Sequence, residues 1–175
     1  DALSRRLFAQ ALQDGTHDAD LLAQWTGCLA AALHGAREDP ALAAEMLTLA
    51  DANALMDGLG DVAPEAVHVA RTRLEVALAQ ALEDDLLRAW NGFAAPAAGE
   101  DLHAQACRRL RGACLALLCR ANPLHRALAR SAFGEARNLT ERLAALAALL
   151  KRRDAELDGV GCEPAVAGGA SGGAA

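Results

Sequence analysis

The sequence predicts an all-α fold in which α-helical hairpins stack as an irregular, α-solenoid-like superhelix, here truncated. Three observations carry that reading. The chain is 53% hydrophobic but only 3% aromatic and has no Tyr. Alanine supplies about a quarter of it, well above ordinary usage, so the core is built from Ala and Leu, which favours close helix approach over sheets. No segment alternates β-branched and polar residues as a strand would. Gly, Pro and capping residues instead divide the chain into helix-length pieces. No strict sequence period recurs, so any repeat is structural and not literal.

The pieces follow in order. Residues 2–13 form a first helix, broken at Asp14-Gly15, and residues 18–35 a second that ends at Gly35. Asp39 caps a short third helix with Pro40 at its first position, where a missing N–H costs nothing. A turn around 51–57 is closed by Gly58-Leu59-Gly60. Pro64 starts a long helix expected to reach Trp90, with Ala63 where a polar cap would serve better. Asn91-Gly92 and residues 94–99 make a loop, followed by helices near 101–119, 123–132 and 138–157. In the last of these, Asn138 and Glu141 have capping-box spacing. Leu143, Leu146, Leu149 and Leu150 then define an apolar stripe expected to be the buried face. From about Gly159 the chain turns Gly/Ala-rich, and residues 158–175 are expected to be a disordered tail, whether natural, out of frame or the product of a truncated gene end.

Bulk charge narrows the function. A net charge of −6 and a pI near 5.3 argue against a nucleic-acid binder. The basic clusters Arg108-Arg109-Arg111 and Lys151-Arg152-Arg153 read as solvated helix faces, and Glu83-Asp84-Asp85 as another, not as a paired-carboxylate site. No apolar run approaches the roughly 18 residues of a membrane span. A cytoplasmic location is expected, with the cysteines reduced. Five cysteines without C-x-x-C spacing read as small buried hydrophobes, with Cys107 and Cys114 on one helix face. His68, between Val67 and Val69, reads as a partly buried structural histidine, and Trp25 and Trp90 as core anchors.

Several segments together resemble the helical C-terminal region of the bacterial aminopeptidase N family, the zinc-dependent alanyl aminopeptidases. Asp39-Pro40-Ala41-Leu42-Ala43-Ala44-Glu45-Met46-Leu47-Thr48-Leu49 is similar to a stretch of that family. So are Val62-Ala63-Pro64-Glu65-Ala66 with Arg71 and Leu74, the helix Cys107-Arg108-Arg109-Leu110-Arg111-Gly112-Ala113-Cys114-Leu115, and Phe133–Arg153 with its Asn-hydrophobe-Thr-acid turn. The opening Asp1-Ala2-Leu3-Ser4-Arg5 with Ala9-Gln10 fits as well, although Arg6 stands where the family has Trp. The elements occur in family order across residues 1–157, with a shorter, divergent stretch between Gln13 and Asp39.

The resemblance implies a parent enzyme that removes N-terminal residues from peptides with a zinc ion, of which this chain is part of the helical wall over the active-site chamber. Its partners would be the catalytic domain of the same polypeptide and, in the full enzyme, peptide substrates, with neither nucleic acid nor membrane. The zinc motif itself needs two His four apart on a helix with a Glu between them. Among His17, His34, His68, His103 and His125 no two are so spaced. No catalytic, cofactor-binding or metal residue is therefore assigned to this chain, and alone it is expected to be inactive and free of zinc. The alternative is a stand-alone helical scaffold or adaptor that binds a protein partner.

Overall fold

The computed structural model describes residues 2–14, 18–49, 63–94 and 96–157. Among these residues it contains eight α-helices and no strand: α1 (Ala2–Asp14), α2 (Ala19–His34), α3 (Pro40–Leu47), α4 (Pro64–Ala81), α5 (Glu83–Gly92), α6 (Leu102–Ala121), α7 (Arg126–Glu135) and α8 (Leu139–Leu157). Short 3₁₀ turns at Pro96–Ala98 and Pro123–His125 precede α6 and α7. The turn expected at 51–57 and the tail expected at 158–175 lie outside the described residues.

Side-chain caps fix four of the eight helix starts, because the first N–H groups of a helix have no partner within it. Asp18 accepts from Asp20 N and Leu21 N at 2.9 and 3.0 Å. Asp39 accepts from Leu42 N at 2.9 Å and Asp101 from Ala104 N at 2.7 Å. Ala63 provides no such bond, as its side chain requires. At α8, Asn138 Oδ1 accepts from Glu141 N at 2.9 Å. Glu141 reaches back one residue further than a capping box predicts, accepting from Arg137 N at 3.0 Å.

The helix expected to run from Pro64 to Trp90 is two helices. Leu82, at φ −108° and ψ 7°, leaves helical geometry for one residue, and Leu86 N then bonds Leu82 O at 2.9 Å as the ladder resumes. No Gly or Pro marks this kink. It keeps Leu82 buried at 2% exposure and sets Glu83, Asp84 and Asp85 in the first turn of α5, where the helix dipole favours acids.

Helix α6 is the centre of the molecule, packing against α3, α4, α5 and α8, while α1 packs on α4 and α2, and α7 on α8. Its buried face carries Leu110, Leu115 and Leu118 together with Cys107, Cys114 and Cys119. The pairing of Cys107 and Cys114 on one buried face is thus as the sequence indicates, and burial pushes the Cys114 thiol up to about 12. Cys28 departs from the expectation and is exposed. Trp90 is buried in the core, and Trp25 packs against it half-buried.

Helix α8 corrects the sequence reading of its faces. Ala145 and Ala148 are wholly buried, whereas Leu143 and Leu150 are each 54% exposed and Leu146 is 40% exposed; of the expected stripe Leu149 packs half-buried against the core. The inward face is the alanine face because α6 presents Gly112 to it. A Cβ on Gly112 would meet Ala144 Cβ at 3.1 Å, so the helices approach too closely for leucine. Leu143, Leu146 and Leu150, with Leu139 70% exposed beside them, form an exposed apolar face. His68 is also exposed, since one residue beyond buried Val67 turns it about 100° off the core face.

Candidate functional site

Two buried or half-buried polar clusters belong to the architecture. In the first, Glu75 on α4 bridges Arg120 and Arg71: its carboxylate lies 2.8 Å from Arg120 Nε and 3.3 Å from Arg71 Nε. Both Glu75 and Arg120 are buried, so each charge depends on the other for compensation. The second is the acidic start of α5, which the sequence reading took for a solvated face. Asp84 is exposed, but Glu83 lies 2.6 Å from His125 Nε2 and Asp85 lies 2.9 Å from His34 Nε2 and pairs with Arg88. The run thereby ties α5 to α2 on one side and to the turn before α7 on the other. A one-dimensional charge pattern cannot show this, because the histidines are 51 and 42 residues away.

A cleft of about 590 Å³ opens between the end of α5, the outer half of α6, α7 and the start of α8. Its lining includes Arg111, whose guanidinium lies 4.0 Å over the Trp90 ring while Nε donates to Trp90 O at 3.2 Å. This cation–π stack fixes the plane of the guanidinium. Burial pushes Arg111 below its ordinary range, partly opposed by the nearby carboxylates of Glu141 and Glu135. Arg108, also on the wall, donates to Ala97 O at 2.8 Å and to Gly99 O at 2.5 Å and so braces the turn before α6. The two arginines expected on a solvated face are therefore partly buried and engaged. Arg109 alone of that cluster is exposed, 3.4 Å from Glu45. The side chains of Lys151, Arg152 and Arg153 lie outside the described set.

The cleft is also lined by Glu135, Arg137 and Glu141 and by the apolar Leu115 and Leu128. Ser131 Oγ donates to Glu135 at 2.6 Å. The sequence reading named Arg108, Arg111 and Glu141 but not the cleft that gathers them. The only hint was Arg111 at 21 residues from an aromatic partner, and sequence alone does not pair such positions.

Among the described residues no group of three or more His, Cys, Asp or Glu could hold a metal ion. Nor is any helix among the described residues long and apolar enough to cross a membrane.

Comparison with known proteins places this arrangement. Residues 1–160 match the family described as a domain of unknown function, DUF3458_C, with ARM repeats. The chain belongs to the DUF3458_C family. Its ARM-repeat description agrees with the all-α, solenoid-like stacking of helices seen here. Aminopeptidase N of Escherichia coli (strain K12) is similar to the DUF3458_C chain, with 38% identity over 111 residues. That match covers 63% of this chain but 13% of the relative, so the chain spans a small part of the length of the protein it resembles.

Proposed function

We propose that this DUF3458_C chain is part of a zinc-dependent aminopeptidase that removes N-terminal residues from peptides. In this reading residues 1–157 form a section of its C-terminal helical domain, a wall over the peptide chamber that contributes shape and no reacting group. The observation that carries it is the 38% identity to an aminopeptidase N. In this reading the chemistry lies in another domain of the same polypeptide, since this sequence has no His-Glu-x-x-His pattern. There zinc would polarise the scissile carbonyl. The exposed leucines of α8 add support, since such a stripe is suited to burial against more polypeptide. A cytoplasmic location goes with this reading.

The decisive experiment is to sequence the coding DNA on both sides of this reading frame. An in-frame His-Glu-x-x-His with a downstream Glu is the expected result. A start codon and ribosome-binding signal just before residue 1, with no zinc domain upstream, would overturn the reading in favour of a free-standing helical binder. A second check is biochemical. The isolated chain should neither hydrolyse an alanyl anilide nor bind zinc stoichiometrically, and doing both would contradict the assignment of chemistry elsewhere.

A further inference from the structure

The cleft around Arg111 holds opposite charges that do not neutralise one another by contact. Among the described residues, nothing bonds to the terminal nitrogens of Arg111 or to the side chain of Arg137. Glu135 and Glu141 each spend one oxygen on a local donor, Ser131 Oγ and Arg137 N, and keep the other. The carboxylates are close enough to Arg111 to bias its protonation, yet neither forms an ion pair with it among the described residues. Arg108 is spent on two backbone carbonyls and serves as wall.

We propose that this cleft binds a zwitterionic free α-amino acid, its carboxylate on Arg111 and Arg137 and its ammonium on Glu135 and Glu141. A guanidinium whose plane is already fixed by stacking on Trp90 loses little freedom on taking up a carboxylate, and it offers the paired donors that a carboxylate matches. A plain anion would meet two carboxylates in the cleft, and a plain cation would meet its arginines. A ligand carrying both charged groups on one carbon satisfies both sets. Leu115 and Leu128 in the cleft lining give an apolar side chain somewhere to go, and 590 Å³ lies within the roughly 300–1,000 Å³ usual for small-ligand sites. The inference stands on the cleft alone and survives if the aminopeptidase reading fails. If that reading holds, the ligand is of the class that the reaction releases.

The test uses the full 175-residue chain with Trp25→Phe, so that Trp90 alone reports by fluorescence. Titration with L-leucine should give a saturable change with a Kd on the order of 1 mM. N-acetyl-L-leucine, which lacks the ammonium, and L-leucinamide, which lacks the carboxylate, should each bind about tenfold more weakly. Arg111→Lys keeps the charge but loses the planar fork and should weaken leucine binding by about tenfold. Because Arg111 also braces Trp90, exposed Arg137→Gln provides a variant with no packing to lose. It should weaken binding by about threefold to tenfold with an unchanged circular dichroism spectrum. No saturable response up to about 50 mM leucine would overturn the proposal. So would N-acetyl-leucine or leucinamide binding as tightly as leucine, or Arg137→Gln leaving affinity untouched.

Discussion

Helices α6 and α8 have similar sequences in outline and opposite fates. Both are rich in Ala and Leu, both are capped by an acidic or amide side chain, and they pack on each other. Beyond the exposed Leu102 at its start, helix α6 turns its leucines inward, with Leu110 and Leu118 at 0% exposure. Helix α8 turns Leu139, Leu143, Leu146 and Leu150 outward and buries Ala145 and Ala148, with Leu149 half-buried beside them. On α8 the leucines at 139, 143, 146 and 150 and the alanines at 145 and 148 lie on faces about 180° apart, so the helix has two apolar stripes from which to choose. The choice is made by the partner. Gly112 leaves room for a Cβ and little else, and the stripe that fits is the smaller one, not the more hydrophobic. Hydrophobicity ranks stripes correctly only when the facing surface can accommodate them.

The largest expected effect lies on α6, where the buried Arg120 is held by Glu75. Glu75→Gln leaves Arg120 and half-buried Arg71 without their shared carboxylate and should cost about 3–5 kcal/mol in urea denaturation followed by circular dichroism. A loss below about 1 kcal/mol would show that water reaches this pair and that α6 is less central than its packing implies.

Next is Leu110→Ala, which deletes a fully buried side chain from the same helix and should cost about 2–5 kcal/mol. A cost no greater than that of a surface substitution would erase the contrast with α8. The converse change on α8, Ala145→Leu, puts a larger group where packing admits only a methyl. It should destabilise by about 1–3 kcal/mol even though it raises hydrophobicity and helix propensity is barely altered. Stabilisation instead would mean that the leucine stripe and the alanine stripe are interchangeable on this surface.

How much of this was legible beforehand follows the same physics. Helix starts at Asp18, Asp39, Asp101 and Asn138 could be read because a cap is a local device, satisfied within three residues. Helix α3 and its Pro40 start were legible for the same reason. The kink at Leu82 was not, because Ala81-Leu82-Glu83 contains no breaker. The signal that could have found it is the acidic triplet beginning at Glu83, a helix-start pattern that was read as mere surface charge. The orientation of α8 and the Arg111–Trp90 stack were not legible either, since each is decided by a residue on another helix. The cleft is a purely tertiary object. Its members come from four helices and the segments between them, and its charged residues look like ordinary surface in one dimension.

The smallest expected effect is the most diagnostic for α8. Leu146→Ser changes a leucine that is 40% exposed, in a stripe whose other members are more exposed still. Surface substitutions away from special features stay within about 0.5 kcal/mol, so the denaturation midpoint of the isolated chain should hardly move. A loss above about 1 kcal/mol would mean that the stripe is covered in solution. Repeating the measurement over a range of protein concentration then separates the causes, because a stripe buried between copies gives a concentration-dependent midpoint and one buried within the chain does not. Either departure would reverse the assignment of faces on α8. A null result at every concentration keeps the alanine face as the one that holds the helix to α6, and leaves the leucines as surface that the isolated chain does not need for its own stability.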